Sequence, residues 1–362
     1  MNGLLLEVGF LQQLRDDALW HRLGWIYGTS AGALTGVMAA LDRLGELEEF
    51  VLGLRPAETF RPNRLWQLPL AGLHDYALPD TIAERIAPTE VLAAELVSSP
   101  IELVVCVTDV GDGGLDDRHV FERTYSSRQT DPDVMSRAIL ASAAISALAL
   151  PLRVDDAIGT DGGWVRNFPL GHAYDNPAVA EIMGLRYVPP VTRQSPENLV
   201  RLRRRLEPFR AVAPVRALID ELRDAEERQH RGEPSHLADM IGRLMRITVA
   251  RNTELEVRSA REKDASVREL DALRKDVLET VRRSVPPWRR RAAAAAVSDR
   301  FARATFPFRH DRALPLTIVR AEPGAHALDA SFRAGLDWPL ESKRALIARG
   351  RALMEEALRD RQ

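Results

Sequence analysis

The chain has 362 residues and a single cysteine, Cys106, so no internal disulfide can form and a reducing compartment is expected. Cys106 sits in the apolar run Leu103-Val104-Val105-Cys106-Val107 and reads as a small buried hydrophobe rather than a reactive thiol. Lysine occurs only at Lys263, Lys275 and Lys343; the other basic residues are arginine, which points to a GC-rich bacterial genome. No apolar run approaches the ~18 residues that span a bilayer. A basic leader region is missing, and Glu7 interrupts Leu4-Leu5-Leu6, so no secretory signal is expected. H-x-x-H, paired cysteines, an EF-hand loop and G-x-x-x-x-G-K are absent too, so neither a metal nor a cofactor is expected. A formal net charge of −2 gives no reason to expect a nucleic-acid partner. A cytoplasmic protein fits these absences.

What remains is an ordinary globular composition, with 45% hydrophobic and 28% charged residues, enough for a substantial core. The spacing of Leu4, Leu5, Val8, Leu11 and Leu14 predicts a helix over 3–17. A short buried strand is predicted at Gly24–Tyr27, then a helix from Ala33 to Leu41. Ile101–Val107 is the strongest strand signal, apolar except for Glu102, as suits a strand covered on both faces. A return strand is expected at His119-Val120-Phe121 and a small-residue helix over Ser136–Leu148, ended by Pro151. Arginine- and glutamate-rich helical stretches fill residues 191–305, and a strand at Leu314–Arg320 and a helix at Ser342–Leu358 follow. This alternation predicts an α/β protein, a three-layer sandwich around a mostly parallel sheet. Its domain would comprise 1–190 and 306–362, with 191–305 a helical insertion.

Gly28-Thr29-Ser30-Ala31-Gly32 is a G-x-S-x-G motif. About one chain in ten of this length carries one by accident. The predicted strand before it and helix after it supply the context of a nucleophile elbow, in which the serine sits on a tight, strained turn. Gly28 and Gly32 would flank Ser30 where a Cβ clashes with its surroundings. The backbone N–H of Ala31, at the start of a helix, would then be a natural oxyanion donor.

A serine nucleophile needs a base. Of the eight histidines, His310 and His326 fall late enough for the chain order of an α/β-hydrolase triad, and His326 is the better placed. The rival is Asp161, followed by Gly162 and Gly163 after an apolar stretch. Read alone, Asp161-Gly162-Gly163 is a turn joining two strands.

Gly28-Thr29-Ser30-Ala31-Gly32 and, far downstream, Asp161-Gly162-Gly163 with Asn167 and Pro169-Leu170 resemble the patatin-like phospholipase family. Thr108-Asp109, Ala141–Ile145, Leu150-Pro151-Leu152, Pro315–Pro323 and Leu346–Gly350 agree with that resemblance. It implies a Ser30–Asp161 dyad in place of a triad. It also implies a carboxylic ester of a lipid (phospholipid, lysophospholipid or acylglycerol) or a small ester as substrate, without cofactor.

The family's oxyanion turn, broadly G-G-G-x-(Arg/Lys)-G after a first strand, is matched only by Asn2 and Gly3, with Asn2 in the basic position. Two explanations are open: a start about 15–20 residues upstream, or an impaired relative that binds a lipid or a protein. Peripheral contact with a membrane is expected to use Met240–Val249, flanked by Arg243, Arg246 and Arg251, or Trp288 with Arg289–Arg291. Burial of Met240–Val249 against neighbouring helices and plain solvation of the arginine run are the alternatives.

Overall fold

A computed structural model describes residues 1–63, 74–111, 121–145, 149–188, 197–231, 237–304, 313–328 and 337–361. His119 and Val120 of the expected return strand fall outside these residues, as does His310. The chain divides into two compact units: Met1–Val188 with Asn252–Gln362, and Pro189–Arg251.

In the larger unit, helix α1 (Asn2–Arg15) precedes strand β1 (Trp25–Gly28) and helix α2 (Ala31–Ala40). Strands β2 (Phe60–Pro62) and β3 (His74–Tyr76) form a small hairpin-like sheet. Strand β4 (Glu102–Asp109) is followed by β5 (Glu122–Ser126), β6 (Leu152–Val154), β7 (Ala157–Asp161), β8 (Ile182–Tyr187) and β9 (Leu316–Ala321). The return strand therefore begins after Phe121. The small-residue helix runs over Pro132–Ser142, starting four residues earlier than expected because Asp131 caps it and Pro132 occupies its first turn.

β4 is the organising strand. It pairs parallel to β1 and antiparallel to β5 and β7, and β6 pairs antiparallel to β7. β8 and β9 form a separate parallel pair. The sheet expected to be mostly parallel is thus mixed, because the two-residue connection between β6 and β7 allows only a hairpin. The α/β layering holds. Alternation along β1 sends Ile26 to one core, shared with α1, α2 and the 132–142 helix. Trp25 and Tyr27 face another core, built on Phe168, Leu170, Tyr174 and Val257.

α1 packs against the last helix, Leu340–Arg359, at contact distance. A Cβ on Gly9 would overlap the Ile347 carbonyl, and one on Gly350 would overlap the Leu6 carbonyl. Beside this pair, β1 and β8 border one cavity of about 370 Å³, lined with apolar side chains such as Leu11, Leu14 and Val179.

The expected insertion at 191–305 does not behave as one body. Residues 252–304 belong to the larger unit and only 189–251 stand as a unit of their own. The helix Leu237–Ser284 spans both. From Asn252 onward it carries Val257 and Ala260 into the core beneath the sheet, a role its charged composition hides. Nearer its start, Met240, Leu244 and Ile247 are exposed. Trp288 is exposed as well. Among the described residues, no helix is long and apolar enough to cross a membrane.

Candidate active site

Strand register brings the two motifs together. Gly28, at the end of β1, stands opposite Val105 on β4, and Asp161, at the end of β7, stands opposite Val107. The chain leaves β1 through Thr29 into Ser30, whose φ of 55° and ψ of −118° lie where non-glycine residues rarely sit. This turn aims the side chain out of the sheet, and Ser30 Oγ donates to Asp161 Oδ2 at 2.8 Å.

Each partner is fixed by further bonds. The Ser30 amide donates to Ser142 Oγ at 3.0 Å, and Ser142 Oγ donates onward to the Cys106 carbonyl at 2.7 Å. Thr29 Oγ1 donates to the Arg166 carbonyl at 2.9 Å. The Asp161 carboxylate accepts from the Gly163 amide at 2.8 Å, and the Asp161 carbonyl accepts from Thr108 Oγ1 at 2.8 Å. Burial pushes the Asp161 carboxyl up to about 6, against the pull of the Gly163 amide and the Ser30 hydroxyl.

The glycines differ in what they do. A Cβ on Gly28 would overlap the Gly32 carbonyl, and one on Gly162 would overlap the Cys106 carbonyl. On Gly163 it would stand 3.0 Å from Asp161 Oδ1, crowding the base. Gly32 is different: the nearest atom to a Cβ there is Glu7 Oε1 at 3.9 Å, so the expected clash is absent.

Ala31 lines the same cavity as Ser30, and its amide has no acceptor among the described residues. The amides of Gly32 and Ala33 already donate to the Thr29 and Ser30 carbonyls. Asn2 is engaged elsewhere: its side chain donates to the Leu328 carbonyl at 3.2 Å and accepts from the Leu328 amide at 2.8 Å. Gly3 lies one residue further along α1, beneath the Tyr187 ring. His326 is exposed on a short 3-10 turn at Gly324–His326, and the hydroxyl of Ser30 is given to a carboxylate instead.

Sequence reading missed the network beneath the site. Arg166 forks onto Glu122 at 2.5 and 2.7 Å and also pairs with Glu256, while His172 Nε2 meets Glu122 Oε1 at 2.6 Å. Glu256 accepts from the Gly171 amide at 2.9 Å, and Asn252 donates to the Trp164 carbonyl at 2.6 Å. Burial raises the Glu122 carboxyl, but the His172 and Arg166 bonds outweigh it and hold it near about 2. Cys106, Glu122 and His172 bring ligand atoms within 4.8 Å of one another. Arg166 already occupies both Glu122 oxygens, and burial pushes the Cys106 thiol up to about 12, so the donor set suits an ion pair better than a cation. The only sequence signal was the spacing of Asn252 and Glu256 on one helix face.

The Ser30 cavity, about 100 Å³, is apolar: Leu34, Phe50, Phe60, Ile82 and Trp338 are among its walls. A hydroxyl–carboxylate pair whose serine lines such a cavity, beside an unused amide at a helix N-terminus, is equipped for acyl transfer.

No curated protein matches the chain. The family model for patatin-like phospholipase matches residues 4–174, which include Ser30 and Asp161 and stop short of β8, β9 and the last helix. Residues 4–174 are thus similar to the patatin-like phospholipase family, whose general chemistry is the hydrolysis of lipid acyl esters.

Proposed function

We propose that this chain is a serine acyl hydrolase that cleaves carboxylic esters of lipids through an acyl-enzyme on Ser30, with Asp161 as base. The observation that carries this reading is the 2.8 Å bond from Ser30 Oγ to Asp161 Oδ2, with Ser30 lining an apolar cavity. As Oγ attacks the ester carbonyl carbon, its proton passes to Asp161. The carbonyl oxygen becomes an oxyanion, facing the Ala31 amide and the positive end of α2. Collapse breaks the bond to the alcohol, which leaves with the proton from Asp161. Water then attacks the acyl-enzyme, giving its proton to Asp161. The acid departs as Ser30 recovers that proton.

Hydrolysis of p-nitrophenyl esters tests this. The wild type is expected to turn over, whereas Ser30→Ala and Asp161→Asn fall by three orders of magnitude or more, on the order of triad knockouts elsewhere. An Asp161→Asn variant that retains its rate overturns the dyad.

Peripheral membrane contact is a second element of the proposal, supported by the exposed Met240, Leu244 and Ile247 on a helix face flanked by arginines. Flotation with phosphatidylglycerol vesicles should carry the wild type, and Leu244→Glu should abolish it.

A further inference from the structure

The segment that follows Asp161 touches both halves of the dyad. Gly163–Arg166 forms a single helical turn. At its start the Gly163 amide donates to Asp161 Oδ1 at 2.8 Å. At its end the Arg166 carbonyl accepts from Oγ1 of Thr29, the neighbour of Ser30, at 2.9 Å. One turn is too short to keep its own shape, because helix nucleation fixes more backbone than its first hydrogen bonds repay. Contacts from elsewhere must hold it.

The helix Leu237–Ser284 supplies them. Asn252 Nδ2 donates to the Trp164 carbonyl at 2.6 Å, and Thr253 Oγ1 accepts from Asn167 Nδ2 at 3.1 Å. Glu256 pairs with Arg166 through Oε1 and accepts from the Gly171 amide at 2.9 Å through Oε2. Asn252 and Glu256, four residues apart, stand on one helix face. Burial of Val257 and Ala260 would seat this helix without any such bonds, yet its polar side chains are directed at the residues just after the base. Those made by the Glu256 carboxylate are charge-assisted and therefore stronger than neutral ones. The other charged group on the turn is Glu122 of β5, which binds Arg166 and His172. From β3, Tyr76 feels the charge of Asp161, and burial keeps its phenol protonated.

Resting on the acyl-enzyme reading, we propose that Asn252 and Glu256 are positioning residues for the base. Through the 163–166 turn they keep the Gly163 amide on the Asp161 carboxylate and the Arg166 carbonyl on the elbow. Loosening the turn withdraws an amide that favours the ionised carboxylate, so Asp161 ionises less readily.

The test uses p-nitrophenyl butyrate. Glu256→Gln keeps shape and volume but removes the charge facing Arg166, whereas Asn252→Ala removes the bond to Trp164. Each should lower kcat roughly tenfold with KM little changed. Each should also move the acid limb of kcat/KM up from about 6 by roughly half a pH unit or more. Glu254→Gln breaks the ion pair that the same helix makes with Arg186, away from the turn, and should leave both readings as in the wild type. Glu256→Gln carries the test even where Asn252→Ala does not fold. A folded Glu256→Gln with wild-type kcat and limb, or a limb that moves equally in Glu254→Gln, overturns the positioning role alone. A wild type that hydrolyses no ester and whose Ser30 takes no fluorophosphonate label overturns the dyad reading and this inference with it.

Discussion

The Ser30 amide and the Ser142 hydroxyl meet at 3.0 Å, joining the nucleophile's backbone to the 132–142 helix. Because Ser142 Oγ donates its own hydrogen bond to the Cys106 carbonyl, the strained turn at Ser30 is held by a side chain anchored on β4. Ser142→Ala removes both bonds. We expect kcat on a p-nitrophenyl ester to fall by roughly tenfold, at an energetic cost of about 1–2 kcal/mol in the hold on the elbow, with KM little changed. An unaffected kcat would mean that the turn holds its shape without this anchor.

Asp161 sets the pH profile. Its carboxyl is raised to about 6, and the base must be ionised, so kcat/KM should rise with pH through about 6 and level off above. Stability runs the other way. The folded state binds this proton more tightly than the unfolded chain, whose aspartate titrates near ~4. The contribution is therefore full below about pH 4 and is lost as pH rises through 6. A pH–rate profile and urea titrations across that window check both signs.

Glu7 offers the same linkage away from the chemistry. Burial raises its carboxyl to about 7, with the Thr35 hydroxyl at 3.0 Å partly offsetting it. Its contribution to stability is present below the unfolded glutamate value and fades as pH climbs through 7. Glu7→Gln should therefore exceed the wild type by about 1–3 kcal/mol at pH 8 and match it near pH 4.5. Urea denaturation at the two pH values reads the difference.

The glycines of the two motifs should separate in mutagenesis. Gly28→Ala and Gly162→Ala drive a methyl into the Gly32 and Cys106 carbonyls and should cost roughly 3 kcal/mol or more, with loss of activity. Gly32→Ala meets nothing closer than Glu7 at 3.9 Å and should fold with a melting temperature within a few degrees of wild type. Thermal melts of the three variants decide this.

The legible parts of this sequence were local. Strand β4 declares itself by an unbroken apolar run, and the elbow by glycines around a serine between a strand and a helix. The Ser30–Asp161 contact spans 131 positions and comes from register on β4, which no short window contains. The same holds for Arg166 with Glu122 and Glu256: each is an ordinary charged residue until the sheet and the long helix bring them together. The helix Leu237–Ser284 misled for a related reason. Its charge pattern is that of a solvated helix, whereas Val257 and Ala260, two small apolar residues, are what reach the core.

The dyad is most directly tested by mass mapping of the protein after reaction with a fluorophosphonate. A Ser30–Asp161 dyad gives one adduct, on the peptide carrying Ser30, formed at pH 8 and nearly lost in Asp161→Asn. An adduct on any other residue, or undiminished labelling of Ser30 in Asp161→Asn, would contradict it.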